Sequence, residues 1–152
     1  MPGARHNLTV QRAPGEDRLF RVRYGDGELE FMLQPWFDID LRPVADRAYD
    51  IVIAGVGKPD DADLHRASRG ALRAREFTRD GGAVVLAAQL DEGEGDAPPS
   101  ALDVFVIVAA SESPEAVRLA GWRAAVDVEE GLDLAYEHIG RPTRASVLLL
   151  RS

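Results

Sequence analysis

Residues 50–77 read DIVIAGVGKPDDADLHRASRGALRAREF. With Tyr49, the stretch opens on a short β-branched run that has no polar alternation. A strand without a polar face must be covered on both sides, as in a parallel sheet. The run breaks at Gly55, Gly57 and Pro59. Leu64, Ala67, Ala71 and Ala74 then recur at three- and four-residue steps, which predicts a helix over 61–78 with those residues on its packing face. Strand, glycine-containing loop and amphipathic helix make one βα unit of an α/β fold.

The same rhythm extends downstream. Asp80-Gly81-Gly82 is expected to end the helix, and AVVLAA (83–88) to form the next buried strand. Residues 89–101, QLDEGEGDAPPSA, read as a loop rich in glycine, proline and acid. LDVFVIVAA (102–110) is a third buried strand. SPEAVRLAG (113–121) reads as a short helix capped by Ser113 with Pro114 in its first turn, and RAAV (123–126) as a short strand. Asp127 with Glu130 makes a capping-box-like start for a helix through Leu132, Ala135, Tyr136 and Ile139, stopped by Gly140. ASVLLL (145–150) is the last strand. Upstream, LFRVRY (19–24) and ELEFML (28–33) alternate around Gly25-Asp26-Gly27, a β-hairpin pattern. Residues 35–49 read as extended, because Pro35 and Pro43 limit any helix. The fold expected is a layered α/β sandwich with a largely parallel sheet, preceded by an N-terminal β-hairpin. Residues 1–17 read as a flexible arm and 18–152 as a single domain.

The chain has 152 residues, 18 basic against 26 acidic, and a net charge of −8. That balance disfavours nucleic acid, which selects a basic footprint. No apolar run approaches the roughly 20 residues of a membrane span, and the N-terminus lacks the apolar core of a signal peptide. There is no cysteine, hence no disulfide framework, thiolate metal site or thiol nucleophile. A cytoplasmic location is the expectation. Lys58 is the single lysine; the other basic residues are arginines.

Ligands of open α/β sheets bind beyond the carboxyl ends of the strands, which puts Gly55-Val56-Gly57-Lys58-Pro59-Asp60-Asp61 where a site belongs. It is not a Walker loop, since no Gly-Lys-Ser/Thr follows four variable residues. It is not a dinucleotide fingerprint either, since Asp60 replaces the third glycine and an acid there repels pyrophosphate. Asp60, Asp61, Asp63 and His65 are oxygen-rich, but Asp61 and Asp63 stand where a helix takes caps and first-turn acids. His6 and His138 lie elsewhere, so no histidine pair has ligand spacing. No metal and no cofactor are expected. Arg66, Arg69 and Arg73, at i, i+3 and i+7, form one stripe, read either as a solvated helix face or as a cationic patch near Lys58. Arginine forks match carboxylate and phosphate in two-point contact. There is no Gly-x-Ser-x-Gly elbow and no Ser-His-Asp order, and Glu92 and Glu94 read as an exposed acidic loop. No catalytic residue is assigned. The binding residues expected are Lys58, Asp61, Arg66 and Arg69, with a small carboxylate or phosphate as ligand.

Residues 50–74 resemble the opening of the C-terminal domain of the nickel-dependent lactate racemases. There an Asp-Ile-Val-like strand, a glycine pair and Pro-x-Asp lead into a helix carrying Leu-Tyr-Gln-Ala-x-Lys-Gly. Pro59, Asp61, Leu64, Ala67 and Gly70 fall in that register. Residues 80–95 resemble the next strand and its Glu-Gly-x-Gly loop, through Glu92, Gly93 and Gly95. Residues 121–150 resemble the final helix and strand, and YGDGELEFML (24–33) the hairpin that opens the racemase chain. The likeness runs from Leu19 to Leu150. It implies that Arg66 and Arg69 stand where the family has an active-site glutamine and lysine, and His65 where it has a tyrosine.

The family's larger N-terminal part supplies the lysine that tethers the nickel-pincer nucleotide, the nickel ligand and the proton-moving histidines. This chain has no counterpart of that part, and Lys58 does not sit in the tether motif. The resemblance therefore implies a domain that is non-catalytic alone and binds a small carboxylate, a partner subunit or a second copy of itself. The alternative it implies is one subunit of a split nickel-pincer-dependent 2-hydroxy acid racemase or epimerase.

Overall fold

The computed structural model describes residues 11–12, 19–24, 27–55, 64–88, 104–109, 114–119 and 122–150. A six-stranded sheet runs β4 (Phe37–Asp40), β9 (Ala145–Leu150), β5 (Tyr49–Gly55), β6 (Thr78–Ala87), β7 (Phe105–Ala109) and β8 (Arg123–Ala125) in spatial order. Every pairing in it is parallel. Two layers cover it. Helices α1 (Leu64–Arg75) and α2 (Pro114–Leu119) pack on one face, where Ala71, Ala74 and Val117 meet Val52, Val84 and Leu86. Helix α3 (Val128–His138) and the hairpin of β2 (Leu19–Tyr24) and β3 (Gly27–Met32) cover the other, where Leu132, Phe20 and Phe31 meet Val85 and Val147. This is the layered α/β sandwich with a preceding hairpin that the sequence predicts.

Both sheet faces are apolar because both are buried. Ile51, Val52, Ile53, Val84, Val85 and Leu86 are all 0% exposed, which is why their stretches show no alternation. The hairpin alternates because only one of its faces meets the core. Its register, Tyr24 opposite Gly27, leaves two residues for the turn. Within residues 1–17, Gln11–Arg12 form a short strand β1 against Arg21 and Phe20; the rest of that stretch lies outside the described residues.

Three local expectations change. The predicted helix over 61–78 is described over Leu64–Arg75. It ends early because Phe77 turns back to accept the Tyr49 N–H at 2.7 Å, which commits Thr78 to pair beside Tyr49. Asp80-Gly81-Gly82 is therefore not a helix stop; it lies inside β6. Register passes from Tyr49 opposite Thr78 to Ile51 opposite Ala83, so β6 spends extra residues in a bulge. Gly82 fits there because a Cβ would lie 2.7 Å from the Asp50 carbonyl oxygen. Residues 37–40, read only as extended, form edge strand β4 against β9.

Helix α3 follows its sequence signals. The Asp127 carboxylate accepts the Glu130 N–H at 2.8 Å, and Glu130 reaches back to the Val126 N–H at 3.1 Å. At the other end Gly140 takes φ +89°, its N–H donates to Glu137 and that of Arg141 to Tyr136, the paired bonds of a Schellman stop.

Candidate functional site

The carboxyl ends of the central strands are level. Gly55 stands opposite Ala87, Ala87 opposite Ala109, and Ala109 opposite Ala125. All four ends are glycine or alanine, so little side-chain bulk stands between an approaching group and the backbone. Converging strand ends are what the βα reading requires, and the edge lies where ligands of parallel sheets bind.

Two long helices begin at this edge and differ in the charge of their first described turns. Helix α3 carries Asp127, Glu129 and Glu130 at its start. These acids satisfy the helix and fasten the hairpin, since Glu129 accepts the Met32 N–H at 2.8 Å. An anion would meet repulsion there. Helix α1 has no acid in its first described turn; Arg66 occupies that turn instead. Negative charge is favoured at a helix N-terminus by roughly 0.3–1 kcal/mol at exposed sites and positive charge is disfavoured. An arginine there is best offset by an anion.

Of the expected site residues, Lys58 and Asp61 lie outside the described residues, as does the loop 91–99. Arg66 and Arg69 fall on α1, Arg69 one turn further from the edge. Five residues separate Arg69 from Leu64, about 8 Å of helix at roughly 1.5 Å per residue. Side chains on a helix lean toward its N-terminus, so an arginine there spans much of that distance. Arg69 is exposed, and among the described residues no carboxylate pairs with it.

The amino edge holds a second cluster that the sequence reading did not bring together. Helix α3 runs antiparallel to the strands, so its last residue, His138, arrives over the strand starts. Its ring stacks on Phe105, with centroids 3.7 Å apart and planes 15° apart. The Arg123 guanidinium lies 4.1 Å from the same ring centroid. Burial, and then the nearby Arg123 and Arg79 charges, hold the His138 imidazole below its ordinary pKa. Arg79, in the β6 bulge, donates to the Asp50 carboxylate at 2.5 Å. The other Asp50 oxygen accepts the Ser146 N–H at 2.8 Å. Burial pushes the Asp50 carboxyl up, but the Arg79 and Ser146 bonds outweigh it and hold it below its ordinary value. These residues sit beside a cleft of about 820 Å³. The signal available in the sequence was His138 in the last turn of a helix that must run back against parallel strands.

Comparison with known proteins adds a fold. The chain is similar to the lactate racemase apoprotein of Thermoanaerobacterium thermosaccharolyticum, 20% identical with a TM-score of 0.56. The likeness covers 68% of this chain and 34% of the racemase. At that identity it establishes a lactate racemase-like fold. No protein-family model matches the chain, and no curated protein matches it significantly. Among the described residues no three histidine or carboxylate side chains converge as a metal needs. Among the described residues, too, no helix is long and apolar enough to cross a membrane.

Proposed function

We propose that this protein is a relative of the lactate racemase C-terminal domain that is non-catalytic alone and holds a small carboxylate at the carboxyl edge of its sheet. Lys58, Asp61, Arg66 and Arg69 form the site. In this reading the two arginines take the carboxylate in two-point contact, and Asp61 and Lys58, outside the described residues, are the expected cap and added charge. The observation that carries the reading is the edge itself: four strands end level on glycine or alanine, beside a helix whose first described turn holds an arginine and no acid. The racemase-like fold supports a lactate-sized ligand.

Racemisation requires acid/base groups on both faces of the substrate carbon. Among the described residues, His65 is the one histidine on an element that begins at this edge, in the first described turn of α1, and His138 lies at the opposite edge. Binding without turnover follows. Calorimetric titration with D- and L-lactate tests it: about millimolar affinity is expected, removed by Arg66→Ala with Arg69→Ala, and no conversion of one enantiomer into the other.

A second reading is one subunit of a split racemase, favoured by the fact that the chain spans about a third of the racemase it resembles. Pull-down from the native organism, with elemental analysis for nickel, distinguishes it: a co-purifying nickel-bearing partner supports this second reading, and a chain recovered alone supports the first.

A further inference from the structure

An open sheet edge is a template for another strand. Among the described residues the six-stranded sheet has β4 and β8 as its outer strands, and the two differ. Strand β4 is guarded: Asp38 pairs with Arg144 and Asp40 with Arg47, and Pro35 and Pro43 flank it. Charges and prolines of this kind discourage pairing. Strand β8 has no such guard. It consists of Arg123, Ala124 and Ala125, with two alanines that let another backbone approach. Val126 follows and is 64% exposed, the most of any large apolar side chain among the described residues. The backbone stays extended as far as Asp127, at φ −151° and ψ 179°. Leu134, 37% exposed, lies on the flank of α3 beside this edge, between Glu130, which reaches the Val126 N–H, and His138, which stacks on Phe105.

Strand alternation decides what each of these residues can meet. Ala125 packs in the core on the α3 side and Ala124 in the core on the α1–α2 side. Arg123 and Asp127, two residues to either side of Ala125, therefore share its face. Residues directly opposite in an antiparallel pair also share a face. A twofold pairing of β8 with its own copy must then be centred on a residue. Centred on Ala125, it sets Arg123 opposite the partner's Asp127 and Ala124 opposite the partner's Val126, each twice. Centred on Ala124, it leaves Arg123 opposite an alanine and the charges unmatched. Arg123 is exposed, rests on the Phe105 ring, and among the described residues has no carboxylate partner. A turn of its side chain brings the guanidinium to the carboxylate across the edge.

We propose that the β8 edge is the interface of a twofold dimer of this chain, in which two six-stranded sheets join edge to edge with Ala125 on the axis. The contact is self-complementary, as a twofold interface must be: the basic start of each strand meets the acidic end of the other, and each Val126 packs on an alanine. The strand is short and cross-strand charge pairs are individually weak, so the dimer is a low-affinity one, dissociating at about 0.1 mM.

Sedimentation equilibrium of the intact chain, from about 10 μM to about 1 mM, tests it. A monomer–dimer equilibrium is expected, weakened by added salt. Arg123→Asp turns both attractive pairs repulsive and should weaken association about tenfold or more. Asp127→Asn keeps the α3 cap but removes the charge, and should weaken it by a smaller factor. Val126→Asp, on an exposed side chain, should leave a monomer whose unfolding midpoint matches the parent's. NMR of the parent should show concentration-dependent shifts at the Arg123, Ala124 and Ala125 amides. A chain that stays monomeric to about 1 mM overturns the proposal, whether the edge is left bare or taken by a strand of another protein. So does a dimer that Arg123→Asp and Val126→Asp leave equally tight, since it would use another surface.

Discussion

Asp50 and Ser146 hold each other twice across the β5–β9 pair: the Asp50 N–H donates to the Ser146 hydroxyl at 2.9 Å, and the Ser146 N–H donates to the Asp50 carboxylate at 2.8 Å. Arg79 completes the arrangement from the β6 bulge. The carboxylate thus ties three neighbouring strands where their pairing begins. Asp50→Asn keeps the shape and removes the charge. It should cost about 1 kcal/mol at neutral pH, discounted because both partners reach solvent.

The same carboxylate shapes the acid limb of stability. Its folded pKa lies below the ordinary 3.8. Its contribution is therefore complete above that value and is lost as pH falls through the folded one. Denaturant midpoints measured from neutral pH down to about pH 3 should fall less steeply in Asp50→Asn than in the parent.

Gly131 marks the closest approach of α3 to the sheet. A Cβ there would lie 2.9 Å from Cγ1 of Val85, a side chain that is itself fully buried. Alanine would gain about 1 kcal/mol of helix propensity, but overpacking costs about 1–3 kcal/mol. Gly131→Ala should therefore destabilise by about 1 kcal/mol. Combining it with Val85→Ala should recover part of that loss, a non-additivity that denaturation of the four variants would reveal.

The hairpin belongs to the main core. Phe20 and Phe31 stack at 5.9 Å and are each 1% exposed. Phe31→Ala should cost about 3–5 kcal/mol and should shift the whole unfolding transition. A separate low-stability phase for the hairpin alone would show that it is an appendage.

Most of this architecture was legible because its signals are local. Tyr49–Gly55 and Ala145–Leu150 announce buried strands by apolar runs without alternation, and α3 announces both ends through Asp127, Glu130 and Gly140. What stayed hidden depends on contacts distant in sequence. Phe37–Asp40 alternates like a strand, but the flanking prolines mask it, and its partner lies about a hundred residues away at Ala145. Asp80-Gly81-Gly82 looks like a helix stop until Tyr49 is seen pairing with Thr78. The candidate site divides in the same way. The carboxyl edge and the α1 arginines follow from one βα unit, whereas His138, Phe105, Arg123 and Arg79 meet only through the sheet order.

The most direct test of the carboxyl-edge site is residue-resolved NMR mapping of lactate on the intact chain. Shifts that saturate in the about millimolar range at the amides of Gly55, Arg69 and Ala88, and that vanish in the Arg66→Ala, Arg69→Ala double variant while its stability stays within about 0.5 kcal/mol, are the predicted result. No response at those amides, or equal binding by the double variant, would contradict the account and leave the arginine stripe a solvated helix face.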